Sequence, residues 1–108
     1  MVAWKRRMTM KTDNELYLVV AAKHFDDILA GRKTKEWMAI TPFWKKRIYD
    51  RRPKTVRFQR GYSKEQARFK IHRITWANNE YEEYPLRPVV PQGFIPVYFT
   101  IWIGDRLS

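Results

Sequence analysis

The chain has 108 residues, 44% of them apolar, which is enough for one domain with one closed core. It contains no cysteine, which excludes disulfides, thiolate zinc sites and thiol catalysis. Twenty-two Lys and Arg stand against eleven Asp and Glu, a formal net charge of +11, and a surplus of that size speaks about partners rather than fold.

The surplus is segregated. Residues 1–11 hold four bases and no acid, while residues 32–73 hold fifteen bases and three acids. Residues 12–31 and 74–108 each hold more acids than bases. A polyphosphate-binding surface calls for such clustering, and the plain alternative is a solvated basic face. Residues 1–10 are charged without an apolar stretch of signal-peptide length behind them. The longest apolar run, Leu16 to Ala22, is too short to cross a membrane. A cytoplasmic protein with no membrane partner is the expectation.

Residues 1–13 read as a loose basic arm, and residues 14–108 as a single domain. Leu16-Tyr-Leu-Val-Val-Ala-Ala22 predicts a buried strand. His24 to Ala30 places Phe25, Ile28 and Leu29 on one face of a short helix, with Asp26 and Asp27 outward. Gly31 can take the left-handed turn that ends it. Thr34 to Met38 reads as a short extended piece.

Thr41-Pro42 marks a second helix start, with a hydroxyl to cap free amides and a proline at the first position. That helix is predicted to run to about Tyr49, with Trp44 and Ile48 inward. Lys45, Lys46 and Arg47 lie largely outside and lead to Arg51 and Arg52 before Pro53 stops it.

Lys54 to Arg60 and Ala67 to Trp76 alternate with period two, so Val56, Phe58, Phe69 and Ile71 should point inward. Arg57, Arg68, Lys70 and His72 should point outward. The loop from Gly61 to Gln66 joins them as a hairpin with one apolar and one basic face. The step to Ile74 and Trp76 breaks the alternation once, which predicts a bulge or bend. Residues 77–96 hold most of the prolines and an acidic cluster and read as an irregular connection. Val97 to Ile103 is the final strand. Four strands and two short helices, with bends and long loops, suggest a small mixed α+β barrel.

Three motifs carry a family resemblance. Ile28-Leu-Ala-Gly-Arg-Lys-Thr-Lys-Glu36 is similar to the glycine-x-lysine-x-x-glutamate signature of the ASCH domains, relatives of the PUA RNA-binding fold. Pro42-Phe43-Trp44 followed by Arg47, and Phe58-Gln-Arg-Gly-Tyr-Ser-Lys64, resemble a small subgroup often met in phage genomes. The resemblance covers roughly residues 16–75 and the last strand. It implies a small bent β-barrel of the PUA/ASCH type with a cleft for RNA or a nucleoside beside the motif, and a place in the host cytoplasm. Some ASCH relatives are enzymes, among them an acetylcytidine amidohydrolase and a ribonuclease. Lys33 matches the amidohydrolase's motif lysine, but Glu36 stands where that enzyme has its threonine. Met38 stands where the phage-type subgroup commonly has arginine.

Lys33 and Glu36 lie three apart, as a proton shuttle or ligand clamp would need and as a structural ion pair also would. They are the catalytic candidates if the chain is an enzyme. Trp37 and Tyr62 are candidates for stacking on bases, Tyr62 because packing rarely explains an aromatic side chain at a loop tip. Trp44 reads as core given Ile48 one turn on, and Trp76 and Trp102 read as core. Arg57, Arg68 and Lys70, with Arg60 and Lys64 near the hairpin tip, form the phosphate-binding candidates. His24 and His72 have no partners at metal-ligand spacing, so neither a metal nor a cofactor is expected. The primary expectation is a nucleic-acid-binding module, RNA ahead of DNA, using a basic groove beside the motif. The alternatives are an enzyme acting on RNA or a modified nucleoside through Lys33 and Glu36, and an anti-defence or protein-interaction factor. Oligomeric state is not legible in the sequence.

Overall fold

The computed structural model describes residues 15–78 and 82–108, so the basic arm expected over residues 1–13 lies outside the described residues. Strand β1 is Glu15–Val20, helix α1 Ala22–Leu29 and strand β2 Lys35–Ala39. Helix α2, Pro42–Trp44, continues as a π-helical segment over Lys45–Asp50. Strands β3 (Thr55–Arg60), β4 (Gln66–Asn78), β5 (Glu82–Pro85) and β6 (Tyr98–Arg106) follow.

The strands form one mixed sheet in the order β1-β3-β4-β6-β2, with β5 paired to β4 off that path. Among the described residues only β1 and β3 run parallel. The sheet curls into a half-barrel. Among the described residues β1 and β2 each have one strand neighbour and stand at the two ends of that order.

The core packs both helices against the strands. Phe25 and Ile28 of α1, Ile48, Val56, Phe58, Phe99 and Ile101 are all buried. Each such side chain contributes about 1.5–3 kcal/mol over its exposed state. Thr41 caps α2 as its sequence predicts, its Oγ1 accepting from the Trp44 amide at 3.2 Å, with Pro42 at the first position. The wider π-helical turn then seats Ile48 in the core and lays Tyr49 on Trp76, ring centroids 5.3 Å apart. Gly31 ends α1 at a φ of 78°.

Several sequence expectations need correction. Among the described residues there are six strands, not four: the extended piece expected over Thr34 to Met38 is strand β2, and β5 is an addition. The 77–96 connection is not wholly irregular, because β5 pairs antiparallel with β4 and sets Tyr84 opposite Trp76. β1 is buried on one face only: Leu16 and Leu18 are inward, but Tyr17 and Val19 are 46% and 53% exposed. A strand at the edge of a sheet covered on one side has nothing to bury the other set of side chains. Trp102 is not core; its ring lies half-buried under two cations on the other side of the sheet.

β4 is the pivot. Its register against β6 shifts between Phe69 and Ile71 and again between Ile71 and Arg73, where the broken alternation places a bulge. β3 occupies one edge of β4 up to Lys70, and β5 occupies the same edge from Thr75. The bend between them opens a fork.

Candidate nucleic-acid interface

The Gly31-x-Lys33-x-x-Glu36 segment is fixed by the end of α1. The Asp27 carbonyl accepts from the amides of Arg32 and Lys33 at 2.9 and 3.1 Å, and the Asp27 carboxylate pairs with Arg32 at 2.9 Å. Lys33 Nζ lies 3.5 Å from Glu36 Oε1, with the two side chains only 16% and 17% exposed. Glu36 also lines a cavity of about 310 Å³ between the two sheet edges, together with Leu18, Val20, His24, Met38 and Trp44. Its Oε1 is buried and accepts no hydrogen bond among the described residues. A walled-off carboxylate oxygen held only by an ion pair is a ready acceptor, since leaving such a group unbonded costs about 1–3 kcal/mol. Among the described residues no three His, Asp or Glu side chains gather as a metal site needs.

Lys33 belongs to a second arrangement as well. Its ammonium lies 5.1 Å from the Trp37 ring centroid, and that of Lys35 lies 5.3 Å from the same ring and 4.6 Å from Trp102. Arg73 covers Trp102 at 4.5 Å. The strand pairings explain this: Lys35 on β2 opposes Trp102 on β6, and Trp102 opposes Arg73 on β4. Three cations and two indoles therefore alternate across three strands. Trp37 is 40% exposed. Glu83 braces the row from beneath, accepting from Trp102 Nε1 at 2.9 Å and Thr75 Oγ1 at 2.6 Å and lying 3.9 Å from Lys35.

The hairpin holds the other expected residues, in four settings. Arg57 and Arg68 face each other across β3 and β4, as the alternation predicts, but Glu15 sits between them. Arg57 Nε reaches Glu15 Oε1 at 3.1 Å and Arg68 Nε reaches Oε2 at 2.6 Å. Burial pushes the Glu15 carboxyl up, but the hydrogen bonds and charges of Arg68 and Arg57 outweigh this and hold it below the ordinary carboxylate value. Arg60 is turned back onto α1, hydrogen-bonded to Asp26 at 3.1 and 3.3 Å. That bond depresses the Asp26 carboxyl and raises the Arg60 guanidinium. Tyr62 stands fully in solvent at the tip, and Lys64 is exposed beside it.

Lys70 projects into the fork of the sheet. There it meets Arg52, Lys54 and Arg73 around a hollow of about 560 Å³ floored by Ile71, Ile74 and Leu86. The structure thus brings together Lys33, Glu36 and Trp37, and separately Arg57 and Arg68. Lys70 joins partners that the sequence did not single out. Lys35, Arg73 and Trp102 were missed because only the strand register makes them neighbours.

The chain matches no family model, and neither a curated protein nor a solved structure matches it. Fold and site define a small α+β protein whose curled half-barrel sheet carries a row of interleaved cations and indoles.

Proposed function

We propose that the chain is a nucleic-acid-binding module of the PUA/ASCH type, with single-stranded RNA the favoured ligand. The observation that carries this reading is the row Lys33–Trp37–Lys35–Trp102–Arg73. Indoles give bases a stacking face worth about 1–3 kcal/mol each, and the flanking cations neutralise the phosphates that follow. The motif resemblance and the basic surplus of residues 32–73 support it. Titrating a labelled oligouridylate, the matching deoxyoligonucleotide and a duplex over a range of salt tests it. RNA should bind tightest, with log affinity falling linearly against log salt. Equal, salt-insensitive binding to all three, or none, would overturn the reading.

A second reading rests on Glu36 alone. Its unbonded oxygen at the wall of a cavity, with Lys33 beside it, is how a proton-transfer site on RNA or a modified nucleoside would be built. Mass spectrometry of RNA and acetylated nucleosides incubated with the protein decides it. Product that disappears with Glu36→Gln supports an enzyme, and unchanged substrate leaves the binding module.

A further inference from the structure

We infer that the fork between β3 and β5 is a site for linked phosphates, gripped by Arg52, Lys54, Lys70 and Arg73. The inference rests on the nucleic-acid reading for the natural source of those phosphates, but not for the chemistry of the site.

The fork follows from the sheet. β3 pairs with β4 from Gln66 to Lys70 and β5 pairs with it from Thr75 to Asn78. Between them β4 bulges, and on this edge the Ile71 amide donates to the Lys54 carbonyl at 2.9 Å. The hollow left behind, about 560 Å³, adjoins a second of about 400 Å³ that shares Arg52, Arg73, Ile74 and Leu86 with it. Together they make a trough rather than a single-ion pocket.

Its charge is one-sided. Among the described residues none of the four cations forms an ion pair with a carboxylate. The one acid lining the trough, Glu83, is committed to Thr75, Trp102 and Lys35. Like charges crowded over an apolar floor repel one another and focus the field outward, a cost that a polyanion removes.

Arg52 adds a separate observation. It is the one described non-glycine residue with a positive φ, at 50°, a region that bulky side chains rarely occupy. Its Nε donates to the Tyr49 carbonyl at 2.6 Å and its guanidinium lies 4.5 Å from the Tyr49 ring. Buried Pro53 follows. This disfavoured turn delivers a braced arginine to the trough, as a phosphate-gripping guanidinium requires. Arg73 belongs to both the trough and the indole row, so a strand whose phosphates lie in the trough has its bases beside Trp102.

Two titrations test the site. The first follows the Arg52 and Arg73 Nε–Hε resonances by NMR while inorganic pyrophosphate is added at low salt. Saturable shifts are expected, and they should be abolished in Lys54→Ala/Lys70→Ala. Lys54→Gln/Lys70→Gln serves if truncation unsettles the fold. The second measures the salt slope of oligouridylate binding. The same double variant should flatten it by about 1.4, two contacts at roughly 0.7 each, while the charge-matched Lys23→Ala/Lys46→Ala pair leaves it as in the parent. Pyrophosphate that leaves both arginines unmoved overturns the site, as does poly-glutamate displacing pyrophosphate at equal charge concentration. A slope unchanged in the trough variant, with RNA still bound, overturns the trough as the RNA track and spares the reading above. Pyrophosphate binding without any RNA binding overturns that reading and leaves the phosphate site standing, with free polyphosphate as its ligand.

Discussion

Arg73 on β4 lies directly opposite Trp102 on β6, its guanidinium carbon 4.5 Å from the indole centroid, and Lys35 covers the same ring from the other side of the sheet order. Trp102 is also tied to Glu83, so changing it would disturb the fold together with the surface. Trp37, with no such tie, isolates stacking. Trp37→Ala is expected to weaken oligouridylate binding roughly five- to 150-fold, the equivalent of about 1–3 kcal/mol, with the salt slope unchanged because stacking releases no counterions. Fluorescence anisotropy across salt concentrations measures both quantities at once. Affinity unchanged across the salt range would remove Trp37 from the interface.

Tyr62 gives a cleaner contrast between surface and fold. It stands fully exposed at the hairpin tip beside Gly61, whose φ of 52° makes the turn. Tyr62→Ala should leave the denaturant midpoint within about 0.5 kcal/mol of the parent, as exposed substitutions do. If the tip stacks on a base, the same variant should lose at least fivefold in affinity, about 1 kcal/mol. Retained affinity would confine the interface to the row and the trough.

Much of the fold was legible because local rules decide it. The alternation of Val56 and Phe58 with Arg57, the cap at Thr41-Pro42 and the lost period near Ile71 each specified an element or a bend. β5 was missed because Glu82-Glu83-Tyr84-Pro85 is short, acidic and closed by proline, and gains its place only from Trp76 across the ladder. Trp102 was misplaced because the run from Val97 to Ile103 is apolar on both faces and hides which side is the core. The partner of Arg57 and Arg68 is Glu15, 42 and 53 residues away, and no local pattern links them. The trough was equally out of reach, since Arg52, Lys70 and Arg73 become neighbours only through the bend in β4.

That bend depends on Gly104. A methyl group there would sit 3.2 Å from the Lys70 carbonyl oxygen and 3.5 Å from the His72 amide nitrogen, both backbone atoms of the bulge. Backbone in a paired ladder gives way less readily than a side-chain tip, so Gly104→Ala should destabilise by about 1–3 kcal/mol, as overpacking does. Chemical denaturation measures it. The same change should also shift the Arg73 Nε resonance, because the bulge positions that side chain.

Glu15 supplies the pH dependence. Burial pushes its carboxyl up, but the hydrogen bonds and charges of Arg68 and Arg57 together outweigh burial and hold it below its ordinary value of 4.5 in the folded state. A depressed folded value means that the unfolded chain binds the proton first, so the stabilisation is fully present above about pH 4.5 and is lost as pH falls through the lower folded value. The two arginines are 38% and 35% exposed, so solvent screens the pair and its contribution is of order 1 kcal/mol rather than that of a sealed ion pair. Arg68→Ala should therefore lower stability at pH 7 by about 1 kcal/mol and lose part of the decline below pH 4.5, while Glu15→Gln should abolish that part of the decline. Urea melts of the three proteins from pH 7 to pH 3 measure it. Parallel stability curves for the parent and Glu15→Gln would show that the clamp does not act through the Glu15 charge.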